Sequence, residues 1–267
     1  MESVRRDKVF AGVGLELEAA REAAARGISR QDTAGRRQQF AWSGPQPLND
    51  ADKEFFLHLY RSSVAFYQPR IEKQTGVALG EIAVRDYSQV TRDALEELRR
   101  RASPWRVGLL RWLVLRRRLR AIRQGLAKAS PEHGSKCAAA YFNSAVYVSF
   151  AATSAHEDIV ATATVHELTH ALWERLEGEP LHLKTWGISE LTAPEHEKFH
   201  VLVEGYACYA QSVWFRGLYP AAVRDTVAHA RLEPASPSYQ GLRRVRALVK
   251  QHGPGILLEI PSRWKDL

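Results

Sequence analysis

Cysteine is scarce: Cys137 and Cys208 are the only two in a chain of 267 residues. Two thiols make no disulfide framework, which excludes a small cross-linked secreted scaffold and fits a reducing compartment. No apolar stretch reaches the ~18 or more residues that a bilayer span needs. The opening Met1-Glu2-Ser3-Val4-Arg5-Arg6-Asp7 has no apolar run behind it of the kind a secretory signal carries. The expectation is a cytoplasmic protein. Acid is missing from one region: Arg99 to Ala129 holds eleven Arg or Lys and no Asp or Glu. With those eleven charges set aside, the net +8 of the whole chain becomes −3 for the remainder, so the basicity is local.

What is present suffices for a sizeable core. At 45% hydrophobic residues, a chain of this length can bury one large domain or two small ones. Residues 1–48 read as an N-terminal extension: Leu15 to Ala25 suits a helix, but Gly27 to Pro47 is polar and broken by Gly35, Gly44, Pro45 and Pro47. The compact domain is expected over 49–267. Asn49 or Asp50 can cap a helix with Phe55, Phe56, Leu59 and Val64 on its buried face, interrupted at Pro69. Val77 to Tyr87 alternates weakly, as a half-buried strand would, and Thr91 to Arg101 suits a helix. After a loop at Ser130 to Lys136, the β-branched and aromatic residues of Ala138 to Phe150 predict an extended segment. A helix from Ser154 or Glu157 to about Glu179, a loop over Leu181 to Ala193 and a helix from about Pro194 to Trp214 come next. Ala221 to Leu232 and Leu242 to His252 read as further helices, the second stopped by Gly253-Pro254. Ile256 to Ile260 is a short apolar run, and Pro261 to Leu267 a tail. The fold class is α+β, mostly helical, with a small sheet packed on helices.

The basic stretch mixes Val107, Leu109, Leu110, Trp112, Leu113, Leu115, Leu119 and Ile122 with arginines at almost every turn. Two readings stay open. One is a surface helix whose arginine stems lie over apolar neighbours. The other is a site at Arg99–Lys128 for an anionic partner, either a membrane surface or a nucleic acid. Arg116-Arg117-Arg118 suits phosphate, but no recognised nucleic-acid module surrounds it.

The most informative stretch is His166-Glu167-Leu168-Thr169-His170. Two histidines four apart lie one above the other on a helix, so both rings can meet one metal ion while Glu167 reaches the water on it. With ten His and twenty-one Glu, chance gives about 0.03 such matches in this chain. A second match nonetheless occurs, His196-Glu197-Lys198-Phe199-His200. Context separates the two. Val165, Leu168, Leu172 and Leu176 form a narrow apolar stripe with His166 and His170 about 100° to 140° round from it, which puts both imidazoles at the edge of a core. The second match carries a lysine between its histidines and begins just after Pro194, in the first turn of a new helix, so it is read as coincidence.

Catalytic zinc ordinarily takes three protein ligands and keeps one open position, so a third must come from another element. On the helix expected from Pro194, the apolar stripe is Phe199, Val203, Tyr206 and Ala210, and Glu204 lies about 140° round with His200 near it. This repeats the offset of the two histidines. Two helices packed stripe to core can therefore bring Glu204 to His166 and His170; the other reading of Glu204 is a solvated surface residue. Gly205, in mid-helix, points to close approach of another backbone, with the metal helix as the expected neighbour.

These residues resemble a gluzincin, the zincin branch of metallopeptidases with His-Glu-x-x-His and a downstream glutamate on a second helix. The match rests on His166, Glu167, His170 and Glu204 and on the order of elements across about Gly80 to Leu218. It implies a zincin-like domain in which an edge strand, able to hold an extended peptide, precedes the metal helix. It implies one Zn2+ ion, a peptide or protein substrate, and cleavage by a metal-activated water with Glu167 as general base. The chain departs from the pattern at Cys208, four residues after Glu204, where some gluzincins keep a carboxylate. The metzincin spacing fails because position 176 is leucine, and Cys137 lacks the surroundings of a peptide deformylase ligand. His200 is a rival ligand, or else a partner of the ligands or a donor to the substrate. Tyr206, Tyr209, Tyr239 and His200 are candidates to stabilise an oxyanion, and Tyr239, read as a turn residue in Pro237-Ser238-Tyr239-Gln240-Gly241, is preferred because Tyr206 falls on the apolar stripe. The alternative to a zinc metallopeptidase is a metal-binding regulator, or an inactive zincin-like protein, that uses the basic segment to hold nucleic acid or anionic membrane.

Overall fold

The computed structural model describes residues 50–90, 92–93, 96–97, 139–150, 157–185, 191–221, 223–224 and 236–267. The N-terminal extension, the basic stretch at 99–129, the 130–136 loop, Cys137 and most of the helix expected over Ala221 to Leu232 lie outside the described residues. The rest is a mostly helical α+β arrangement on a three-stranded mixed sheet.

Helix α1 runs Asp50–Thr75 without the break expected at Pro69. Proline removes one N–H from the ladder and crowds the preceding turn. Here the Arg70 guanidinium donates to the Phe66 carbonyl, in the turn the ring disturbs. Packing does the rest, since Tyr60, Val64, Tyr67 and Ile71 continue one buried stripe past the proline. Gly76, at φ +72°, ends the helix by donating to the Glu72 carbonyl, as a left-handed residue after a helix does. Glu72 then takes the Leu79 amide and Gln68 the Gly80 carbonyl, turning the chain back towards the sheet.

Strand β1 is only Ala83–Asp86. The single extended segment expected over Ala138 to Phe150 is instead a hairpin, β2 (Ala139–Phe142) and β3 (Ala145–Val148). Asn143 and Ser144 both take positive φ, 46° and 58°, the requirement of a two-residue turn whose twist matches the strands. The missed signal was the asparagine, which tolerates that region. Strand order is β1-β3-β2, with β1 parallel and β2 antiparallel to β3. The strand next before the helix of the first motif is therefore central, with β1 and β2 on either side of it. Val146 and Val148 face the main core shared with α1 and α2, while Phe142, Ala145 and Tyr147 face a smaller cluster with Val90.

Helix α2 (Glu157–Glu177) carries the first motif. The expected 181–193 loop begins with a short helix α3 (Leu181–Thr185). Helix α4 (Ala193–Tyr209) starts in a capping box, Thr192 with Glu195, and has proline in its first turn. A wide turn with five-residue hydrogen bonding follows over Ala210–Trp214, where the Phe215 amide donates to the Ala210 carbonyl at 2.8 Å. Helix α5 (Pro237–His252) begins a turn earlier than expected, capped by Ser236, so Tyr239 sits in its first turn and not on a loop. The apolar run at Ile256 and part of the expected tail form helix α6 (Ile256–Arg263), and Trp264 is buried in the core. A tryptophan after a proline reads as a terminus in sequence, yet its indole donates to Glu177 at 2.7 Å.

This second core joins Trp173 of α2, Phe199, Leu202 and Tyr206 of α4, Val245 of α5 and Trp264. The backbones of α4 and α5 touch where Gly205 meets Gly241. A β-carbon on Gly205 would lie 2.0 Å from the Gly241 carbonyl carbon, and one on Gly241 would lie 1.9 Å from the Val201 oxygen. The close approach read from Gly205 is real, but its partner is α5 and not the metal helix. That contact fixes the rotation of α4, and Glu204, about 100° round from Gly205, is thereby turned towards α2.

Candidate metal centre

Helices α2 and α4 pack together, and their polar edges meet. His166 Nε2 lies 3.6 Å from Glu204 Oε2, and His170 Nε2 lies 3.6 Å from Glu204 Oε1. Each of the three residues offers one ligand atom, and these atoms all lie within 4.8 Å of one another, a grouping that could hold a metal ion. Tetrahedral zinc at about 2.05 Å from its ligands sets them about 3.3–3.4 Å apart; each histidine is near that distance from one Glu204 oxygen, though not the same oxygen, and the wider separations of up to 4.8 Å would have to close on binding. Two imidazoles and one carboxylate are also a donor set that zinc accepts.

Burial separates the charges. Glu204 is held down at about 2: burial would raise it, but the adjacent His166 and the charges of His170 and His200 outweigh burial. Burial pushes His170 down to about 4, against the pull of Glu204. His166 goes well above its ordinary value even though burial opposes this, because Cys208, Glu204 and Glu167 favour its charged form. Burial pushes Glu167 up to about 7; Glu204 adds to this, while His166 and the Tyr141 amide oppose it.

Glu167 does not join the triad. Its Oε2 accepts the backbone N–H of Tyr141 on β2 at 2.6 Å. Tyr141 also donates its hydroxyl to Glu174 at 3.1 Å, two turns further along α2. The edge strand is thus tied to the metal helix at two points, one of them the carboxylate between the histidines. Sequence reading put the strand beside the helix but gave no signal for this bond, because any residue except proline supplies a backbone amide.

The polar edge of α4 extends beyond Glu204. His200, one turn before it, lies near enough for its charge to bear on both His170 and Glu204. Cys208 lies near enough to His166 to favour its charged form. Gln211, in the wide turn, places Oε1 3.1 Å from His166 Nδ1. Carrying the i, i+4, i+7 spacing forward from Glu204 would have found both, since Cys208 and Gln211 are the next positions on that face. Of the second His-Glu-x-x-His match, His200 bears on the site. Lys198 donates to the Lys265 carbonyl, and Phe199 packs between Trp173 and Trp264.

The tyrosines divide differently. Tyr206 is core, its hydroxyl donating to the Leu257 carbonyl at 2.9 Å. Tyr209 is buried in the same cluster. Tyr239 lies two residues from Gly241, so its side chain leaves α5 far round from the face that meets α4.

No known family model, curated protein or solved structure matches the chain. Among the described residues no helix is long and apolar enough to cross a membrane.

Proposed function

We propose that the protein is a zinc-dependent hydrolase of peptide bonds, with His166, His170 and Glu204 as metal ligands and Glu167 as general base. The observation that carries this reading is the convergence of the two histidine Nε2 atoms on the Glu204 carboxylate, with Glu167 buried beside them and fixed by the edge strand. A bound zinc ion would supply a water acidified to about pKa 7 and a Lewis acid for the scissile carbonyl. Glu167 takes the proton of the attacking water and returns it to the leaving nitrogen, a role suited to a carboxylate whose affinity for protons has been raised by burial. With Oε2 held by Tyr141, Oε1 is the Glu167 oxygen that would take that proton. We assign to His200 the donation to a developing oxyanion, a role supported by its nearness to His170 and Glu204.

A peptide substrate is favoured by the position of β2. By antiparallel alternation its Ala139 and Tyr141 backbone groups face away from β3; the Tyr141 N–H is taken by Glu167, and among the described residues no strand pairs with the other outward groups, along which an extended chain can lie. The basic segment at Arg99–Lys128 remains a proposed contact for an anionic surface, and the regulator reading depends on it.

Metal content and turnover of the purified chain test the proposal together. Wild type is expected to carry one zinc and to cleave a peptide library, Glu204→Ala to lose the metal, and Glu167→Gln to keep the metal and lose cleavage. A wild-type chain that binds no divalent ion, or a Glu167→Gln variant that cleaves as wild type does, refutes it.

A further inference from the structure

We infer that Gln211 is a positioning residue for this centre: its side-chain carbonyl accepts the Nδ1 proton of His166, which holds the ring with Nε2 turned to Glu204 and open to a metal. The inference rests on the metal reading above and concerns a residue to which that reading gives no part.

Three observations support it. The separation is 3.1 Å from Gln211 Oε1 to His166 Nδ1, while the other ring nitrogen, Nε2, is the one 3.6 Å from Glu204. The ring is therefore gripped on one side and faces the ligand cluster on the other. An imidazole that binds a metal through one nitrogen needs the other protonated and fixed, and the acceptor of that proton sets the ring's orientation. Gln211 meets the need with a neutral oxygen, so it adds no charge beside the Glu204 carboxylate.

The second observation is the wide turn itself. In the Ala210–Trp214 turn the repeat is close to five residues, so Ala210 and Phe215 both reach the core shared with Val165, Leu168 and Leu172 of α2. Gln211 follows the first of these anchors directly. The turn is seated on the helix that carries His166, and this limits how far the amide can move from the ring.

The third is that the irregular turn is itself supported. Widening a helical turn displaces carbonyls from their usual partners. Ser212 Oγ takes the Cys208 carbonyl at 2.6 Å, and Gln74 from the end of α1 donates to the Trp214 carbonyl at 3.0 Å. Side chains from two elements thus hold the segment that presents Gln211.

The test compares Gln211→Leu and Gln211→Glu with wild type, each checked for unchanged thermal unfolding in the presence of chelator. Zinc affinity is measured by competition with a chromophoric chelator, and the ring nitrogens of His166 are followed by 15N NMR of the zinc-loaded protein. Gln211→Leu is expected to weaken zinc 10–100-fold and to broaden or shift the Nδ1–H signal. Gln211→Glu, which keeps an acceptor, should return affinity to within a few-fold of wild type and preserve that signal. Equal affinity in wild type and Gln211→Leu, or an equal loss in both variants, overturns the inference while leaving the metal reading intact. A wild-type chain that binds no zinc overturns both, and that result is distinguishable from the other two.

Discussion

Replacing Gly205 by alanine pits helix propensity against steric contact, and the two predict opposite signs. Alanine is better than glycine inside a helix by about 1 kcal/mol, so propensity alone predicts a more stable protein. The α4–α5 crossing predicts the reverse. The added carbon would stand 2.0 Å and 2.2 Å from two backbone carbons of Gly241 and 2.4 Å from the Leu242 nitrogen, whereas carbon atoms in contact prefer about 3.5–4.0 Å. All three obstacles are main-chain atoms, so no rotamer change relieves them and the helices must part by about 1.5 Å at the crossing. Overpacking of this kind costs roughly 1–3 kcal/mol, occasionally more. Taking the upper end and subtracting the propensity gain leaves a net loss of about 2 kcal/mol, or a fall in Tm of about 4–8 °C for a domain of this size. The assay is thermal and urea unfolding of Gly205→Ala, Gly241→Ala and the double variant. The double variant should cost less than the sum of the singles, because the first substitution has already opened the gap for the second. A Gly205→Ala protein as stable as wild type, or more so, refutes the reasoning. It would also remove the ground for saying that this crossing sets the direction of Glu204.

Two further predictions concern charges away from the His166, His170 and Glu204 cluster. Lys184 and Glu177 form an ion pair whose side chains are 8% and 6% exposed, and Glu177 also accepts the indole N–H of Trp173 at 3.1 Å and of Trp264 at 2.7 Å. Lys184→Ala strands that carboxylate in the core and should cost about 3–5 kcal/mol in urea unfolding, with much of the loss recovered by adding Glu177→Gln; an effect below about 1 kcal/mol would show the pair to be solvated. Asp93 accepts from Arg85 at 2.5 Å, Tyr147 at 2.9 Å and Arg92 at 3.2 Å. Burial raises its pKa, but these donors outweigh burial and hold it below the ordinary value. The resulting stabilisation is complete above about pH 4 and is lost as the pH falls through the folded-state value. Asp93→Asn should therefore lose stability at neutral pH and converge on wild type in acid, and parallel acid-unfolding curves would contradict the assignment.

The sequence was most legible where period and chemistry coincide. The apolar stripe of Val165, Leu168 and Leu172 placed α2 in the core with His166 and His170 at its edge, and the same offset on α4 picked out Glu204 from twenty-one glutamates. Periodicity failed where tertiary contacts override it. Pro69 should stop a helix, but the stripe from Tyr60 to Ile71 is buried on both sides of it, and that packing outweighs the local cost. The Asn143-Ser144 turn was hidden because neither residue is glycine, the usual mark of positive φ. Tyr239 was misplaced on a loop because Pro237, which opens α5 at its first position, reads equally as a turn residue. The Gly205 partner could not be read at all: a small residue announces a close approach but carries no information about which backbone approaches.

The bond from the Tyr141 amide to Glu167 bears on how a substrate would reach the proposed centre. An edge strand offers its outward groups to a peptide, yet one outward N–H of β2 is already taken by the carboxylate between the histidines. A peptide paired along β2 must then either leave that amide to Glu167 and use other outward groups, or displace it and free Oε2. Displacement would release Glu167 from the bond that orients it and strip away a donor that opposes the upward shift of its pKa. The first arrangement keeps the base fixed during turnover. It also limits the length of the pairing, because the strand has only four residues and Phe142 leads straight into the turn. Pairing on the turn side of Tyr141 is thereby ruled out, and an extended substrate is left with groups at Ala139, the Tyr141 carbonyl and whatever precedes them. On the hydrolase reading, recognition by backbone pairing along β2 is confined to the Ala139 side of Tyr141, and the rest of the substrate must be selected by other contacts.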